Sequence, residues 1–152
     1  MKRLILVFIV GTLAFVPLWS QSAENMDKII GNPSVAVDQA SYLVFVAAGK
    51  LAEDATFDQS FTLYNKMGWL GTEGNPHRAI TLAEYAYLLQ RSFDLPRGVM
   101  ATLLPGPRYA FRDFVFSGLI APDVDPDSYV TGAEAVRLLG KIMDTLPAGV
   151  RS

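Results

Sequence analysis

The feature that most constrains the fold is an internal repeat with a period of 50 residues. Agreement of apolar, Gly, Thr, Ala and Glu positions at a single offset predicts a supersecondary unit that occurs more than once. The matching segments are Gly68-Trp69-Leu70 with Gly118-Leu119-Ile120, residues 80–84 with 130–134, and the leucine pairs 88–89 and 138–139.

The second half of each copy starts with a sequence that favours a helix N-terminus. Thr81 stands three residues before Glu84, and Thr131 stands three residues before Glu134, which is the spacing of a capping box. An earlier, partial copy offers Asp38 as its N-cap. Apolar residues then recur at helical spacing. The sequence therefore predicts helices over residues 38–51, 81–94 and 131–145.

The first half of each complete copy also has a helical pattern. Predicted helices over 57–67 and 108–117 end at Gly68 and Gly118, which suit the left-handed conformation that closes a helix. Between the two copies, prolines confine residues 95–107 to a linker, in which one helical turn is expected around Val99–Leu103.

Together these elements predict a mainly α fold of repeated helix-loop-helix units, two complete and one partial, packed as one domain over residues 24–152. The partial repeat covers residues 37–51 and is expected to lack a complete first helix. The complete repeats cover 57–94 and 108–145. Strands should be few, because no segment alternates clearly between apolar and polar residues.

The N-terminus has the order of residues that is typical of a secretory signal. Lys2 and Arg3 precede an apolar run from Leu4 to Trp19, and small polar residues follow. We expect residues 1–23 to be removed and the protein to reach the periplasm or cell envelope. The alternative is an uncleaved segment that anchors the chain in the membrane, although this run is shorter than the roughly 20 residues that span a bilayer.

Composition excludes several classes of function. The chain has no cysteine, which rules out disulfides, cysteine-ligated zinc and a cysteine nucleophile. Its formal net charge of −2 gives no basic footprint for nucleic acid. The chain has one histidine, His77, in a polar loop, and lacks a Gly-x-Ser-x-Gly nucleophile motif, so no catalytic constellation stands out.

The repeats resemble S-layer homology modules, which place a helix, a Gly-hydrophobic pair, a loop and a Thr-x-Ala-Glu helix start in this order. The resemblance covers residues 61–89 and 111–139, with a half copy at 37–46. It implies a non-covalent anchor that holds an exported protein to cell-wall polysaccharide. The arginine that the family usually carries between Thr and Ala is replaced by Leu82 and Gly132, and its tryptophan near the start of the first helix is absent.

Four residues are candidates for contact with a wall polymer. An exposed tryptophan could stack on a sugar and arginines could line a groove for an anionic polymer, although core packing and simple solvation are the alternatives. The candidates are Trp69, Arg78, Arg108 and Arg112.

An acidic loop is a candidate calcium site. Its carboxylates stand at positions 1, 3, 5 and 12 of an EF-hand-like spacing, but Ser128 occupies the position that needs glycine. The alternative is a solvated loop in which Glu134 only caps a helix. The candidate ligands are Asp123, Asp125, Asp127 and Glu134. No other cofactor is expected.

The leading hypothesis is a non-enzymatic envelope module that binds cell-wall polysaccharide or an envelope protein. The alternative is a protein-binding scaffold subunit of an envelope assembly. A third class, a carboxylate-based wall hydrolase, requires two acidic residues in one cleft. Apolar runs such as 43–46 and 114–116 suggest more apolar surface than a small monomer needs, which is compatible with a homo-oligomer. Membrane contact is expected only through the N-terminal segment, if it is retained.

Overall fold

The computed structural model of the protein describes residues 19–70 and 74–147, and this part of the chain forms seven helices. Their bounds are Trp19–Ile30 (α1), Val37–Ala47 (α2), Phe57–Met67 (α3), Leu82–Ser92 (α4), Val99–Leu103 (α5), Pro107–Phe116 (α6) and Gly132–Thr145 (α7). Extended pairing in the described residues is limited to two single bridges, Ala36 with Ala79 and Thr81 with Tyr129. The predicted mainly helical fold is confirmed.

Local signals define the helix ends. At the start of α4, the Thr81 hydroxyl accepts from the backbone nitrogen of Glu84, and the Glu84 carboxylate accepts from that of Thr81. Thr131 and Glu134 form the same box at the start of α7. The two glycines predicted to close helices adopt the left-handed conformation, Gly68 with φ 62° and Gly118 with φ 75°, and Gly49 after α2 does the same with φ 65°.

Three extended residues meet at the centre of the molecule. The backbone nitrogen of Val35 donates to the carbonyl of Val130 (2.8 Å), that of Ile80 to Val35 (2.9 Å), and that of Val130 to Ile80 (3.2 Å). All three side chains are fully buried. Since these residues precede α2, α4 and α7, this closed ring of hydrogen bonds brings the N-termini of the three helices to one point.

The core lies along α2 and α4. Both helices carry buried side chains on most of their faces. α3 packs against α2, and α6 packs against α4. The largest fully buried apolar side chains in the two central helices are Val37, Tyr42, Val44, Phe45, Tyr85, Leu88 and Leu89. α1 packs on α7, where Gly132 lies so close to the backbone of Ile29 that no side chain fits between them.

Two sequence predictions need correction at the partial repeat. A helix does precede it, because α1 extends to Ile30. The N-cap of α2 is Ala36, not Asp38. Gln39 accepts from the Ala36 nitrogen, in the role that Glu84 has in α4, so the partial copy is offset by two residues from the alignment that the sequence suggested.

The predicted leader falls largely on residues 1–18, which lie outside the described residues, and its predicted end at residue 23 lies within α1. Within the described ranges, no helix is both long enough and apolar enough to cross a membrane.

Candidate functional site

Among the described residues, the large exposed apolar side chains concentrate on α5 and the neighbouring side of α6, which we refer to as the α5–α6 surface. Val99 is 75% exposed, Leu103 68% and Phe116 95%. Met100 and Leu104 are also more than half exposed. Contiguous exposed apolar side chains of this size typically mark an interaction site in a folded protein.

Two concave regions of this surface adjoin each other. A groove of about 620 Å³ runs between the two helices, and a shallower cleft adjoins it. The groove holds Met100, Arg112 and Phe116, whereas the cleft holds Leu104 and Arg108. Both are lined by Tyr109. The two arginines therefore border the same exposed apolar area.

Two prolines and a pair of hydrogen bonds to Asp113 hold α5 in this position. Pro96 and Pro105 bracket the helix. The backbone nitrogen of Gly98 donates to Asp113 Oδ2 at 3.0 Å, and the buried Gln90 side chain donates to the same oxygen at 2.9 Å. A Cβ on Gly98 would lie 2.6 Å from Asp113 Oδ1. A larger residue at position 98 would therefore displace the Asp113 carboxylate, which joins α5 to α6 and α4.

Arg108 and Arg112 are the two predicted ligand residues that the structure brings together. They stand one turn apart on α6, and both are exposed. Within the part of the chain that the structure describes, neither forms an ion pair. Their guanidinium groups are therefore free to contact an anionic partner.

The other two predicted ligand residues lie elsewhere. Trp69 is half-buried beside Phe45, and the Arg91 guanidinium lies 5.3 Å from its ring centroid. Arg78 donates two hydrogen bonds to Glu84, at 2.8 and 3.0 Å. These contacts give both residues a role in packing and helix capping.

The ion pair between Arg78 and Glu84 is strong enough to change the titration of both groups. The hydrogen bond to Glu84 raises the pKa of Arg78, more than burial lowers it. Burial pushes the pKa of Glu84 upward, but hydrogen bonds from Arg78 and Thr81 outweigh it and hold that pKa below its ordinary value. Beside them, burial raises the pKa of Tyr64 to about 12.

The acidic loop does not assemble into a metal site. Asp125 Oδ1 accepts from the backbone nitrogen of Asp127, and Glu134 is engaged in the cap of α7. Asp123 and Asp127 point to solvent as exposed loop residues. Over residues 19–70 and 74–147, no group of three or more His, Asp or Glu side chains is arranged to hold a metal ion. The matching loop of the other repeat includes Glu73, which lies outside the described residues.

A second, polar cavity of about 410 Å³ lies between α1, the start of α3 and the loop before α4. The carboxylate of Asp38 lies at its base, almost fully buried, with Oδ2 3.0 Å from Nδ1 of His77. Glu24 and Asp58 also line the cavity. It therefore holds more than one carboxylate, as the hydrolase hypothesis requires, but Lys28 lowers the pKa of Glu24, whereas a general acid needs a raised pKa.

Sequence reasoning missed both the α5–α6 surface and the pairing of Asp38 with His77. The first had a detectable signal, since two apolar pairs at 99–100 and 103–104 stand between prolines in a short segment with few positions that could cover them. The second had none, because 39 positions separate the two residues in the sequence (77 − 38 = 39).

Comparison with protein-family models, curated proteins and solved structures finds no match to this chain.

Proposed function

We propose that this chain is an exported, non-enzymatic module that attaches to the cell envelope through the α5–α6 surface. The observation that carries the proposal is the exposure of five large apolar side chains on one side of a well-packed domain. Burying them on a partner is favourable, because about 25 cal/mol is gained for each Å² of apolar surface removed from water.

Two features of the sequence support the compartment and the kind of function. The N-terminus has the charged, apolar and small-residue order of a secretory signal. The repeats resemble S-layer homology modules, which serve as non-covalent anchors. Since Leu82 and Gly132 replace the arginine of that family motif, the proposed attachment uses a different surface from the family's own site.

Sedimentation with whole cell envelopes tests this proposal. Protein expressed from the full chain and recovered from the exported fraction should sediment with envelopes. A Leu103→Ser, Phe116→Ser double variant should remain largely in the supernatant, because it removes one large protruding apolar side chain from α5 and one from α6. Tyr129→Ser is the matched control, since Tyr129 is 62% exposed but lies outside the α5–α6 surface. Equal sedimentation of the double variant and the wild type would disprove attachment through this surface.

The polar cavity favours a second candidate function, recognition of a polyhydroxylated wall polymer. Carboxylates and an imidazole can share hydrogen bonds with sugar hydroxyls, and Phe57 offers an aromatic face in the same cavity. Purified sacculi, freed of lipid and protein, separate this candidate from the first. Sedimentation with sacculi that is lost in His77→Ala, but kept in the Leu103→Ser, Phe116→Ser variant, would favour the cavity. Release of reducing sugar would point to the hydrolase alternative.

A further inference from the structure

The exposed apolar residues of α5 lie on one side of the helix. Val99, Met100 and Leu103 follow one another at helical spacing, and exposed Leu104 follows directly as the C-cap, while Ala101 is buried against the domain. An ordinary surface helix turns its apolar side inward. α5 does the reverse, and Phe116 extends the apolar area from the end of α6.

The groove on this surface is open to solvent, and the apolar side chains along it project outward and do not enclose a pocket. Phe116 is almost completely exposed, and the α5 side chains stand more than half free of the domain. Protruding aliphatic groups need matching holes in a protein partner, whereas the fluid interface of a bilayer adapts to them. They also offer a polysaccharide no hydrogen bonds. The shape of the surface therefore favours a lipid partner.

Charge complementarity points in the same direction. Arg108 and Arg112 border the apolar area, although the whole chain carries a net charge of −2. The acidic residue that lines the groove, Asp113, accepts hydrogen bonds from Gly98 and Gln90. Apolar side chains flanked by arginines form the pattern of an interfacial binding surface, in which the apolar groups enter the headgroup region and the cations contact lipid phosphates.

We propose that the α5–α6 surface binds an anionic phospholipid membrane surface, with Met100, Leu103 and Phe116 entering the interface and Arg108 and Arg112 contacting the phosphates. This inference rests on the proposed attachment to the envelope and names its partner. It places the domain on the membrane without a spanning helix and independently of the fate of the N-terminal segment.

A local fluorescence reporter tests the inference directly. Since the chain has no cysteine, Met100→Cys can carry a single environment-sensitive fluorophore, and Tyr129→Cys carries the same label as a control. With vesicles of phosphatidylglycerol and phosphatidylcholine, the label at position 100 should shift to shorter wavelength and gain intensity, while the label at position 129 should not change. Vesicles of phosphatidylcholine alone should give a much smaller response.

Variants separate the contributions of the apolar and the charged side chains to vesicle binding. Arg108→Ala with Arg112→Ala should weaken binding to anionic vesicles by about 25-fold at low salt, at about fivefold for each arginine. Leu103→Ser with Phe116→Ser should weaken it by at least about tenfold. Lys66→Ala with Arg137→Ala removes the same charge from exposed positions on other helices, and it should leave binding nearly unchanged. Circular dichroism checks that each variant is folded.

Failure of this inference can be told apart from failure of the proposed function. An unresponsive label at position 100, or equal responses to both vesicle types, would overturn lipid binding. If the Leu103→Ser, Phe116→Ser variant still lost envelope sedimentation in that case, attachment through the α5–α6 surface would stand and its partner would be an envelope protein. Unchanged vesicle binding in the arginine variant would also overturn the inference.

Discussion

Asp113 holds Gly98 in place across the junction of α5 and α6, with its Oδ2 3.0 Å from the Gly98 backbone nitrogen. The same oxygen accepts from the side chain of Gln90, which is almost fully buried. One carboxylate thus joins three helices beneath the α5–α6 surface.

Asp113→Ala should release α5 and destabilise the domain. The variant leaves the Gln90 amide buried without this partner, so we expect the free energy of unfolding to fall by about 1–3 kcal/mol. Hydrogen exchange at the amides of Thr102 and Leu104 should become faster. Asp54→Ala, in an exposed loop, is the control and should change neither quantity. Unaltered exchange within α5 would contradict the role given to Asp113.

Tyr85→Phe should remove one buried hydrogen bond between α4 and α7. The Tyr85 hydroxyl donates to the carbonyl of Ala135 at 2.9 Å, and its ring is fully buried. Burial raises the pKa of Tyr85 far above the ordinary value, so the phenol remains a donor over the whole range in which the protein is folded. We expect a loss of about 1 kcal/mol in urea denaturation. Tyr129→Phe, at an exposed position, should cost less than about 0.5 kcal/mol.

Two glycines of α7 should respond in opposite ways to the same substitution. A Cβ at Gly132 would overlap the carbonyl of Ile29, so Gly132→Ala should force α1 away and cost about 1–3 kcal/mol. A Cβ at Gly140 meets nothing within 4 Å, so Gly140→Ala should stabilise α7 by about 0.5–1 kcal/mol. Thermal unfolding of both variants checks this. Similar stability of the two would show that α1 does not pack on Gly132 in solution.

The Arg78–Glu84 pair should contribute to stability in a pH-dependent way. Because the pKa of Glu84 is lower in the folded protein than the ordinary 4.5, the pair stabilises fully above that value, and the contribution is lost as the pH falls through the folded pKa. Glu84→Gln keeps the helix cap but removes the charge. It should cost about 1 kcal/mol at neutral pH and nothing in acid, once the pH lies below the folded pKa of Glu84.

Urea denaturation at both pH values measures this difference, and a double-mutant cycle with Arg78→Gln assigns it to the pair. A cost of Glu84→Gln that stays the same at both pH values would contradict the ion-pair interpretation.

Helix positions were predictable because their signals are local. The capping box of Thr81 and Glu84 acts within four residues, and the predicted helix over 81–94 is observed as Leu82–Ser92. The helical turn expected at Val99–Leu103 is α5 itself. Signals of this kind do not depend on what the helix later packs against.

The start of α2 was not predictable from such signals. Asp38 is a good N-cap residue by type, but the helix begins at Val37 after Ala36. Val35 must be extended to join the ring with Ile80 and Val130, and this tertiary contact places the cap two residues earlier. Asp38 then faces the polar cavity, where it meets His77.

The sequence by itself determined the mainly helical class, the positions of α3 to α7 and the capping boxes of α4 and α7, because each depends on neighbours a few residues away. Only the tertiary structure decided which apolar pairs are buried. Leu88 and Leu89 are fully buried in α4, whereas Leu103 and Leu104, at the end of α5, are 68% and 58% exposed, although the two pairs are identical in sequence. Apolar side chains all favour leaving water, but a leucine is buried only where another element covers it. α6 and α2 cover α4, and the described part of the chain leaves the outer side of α5 open.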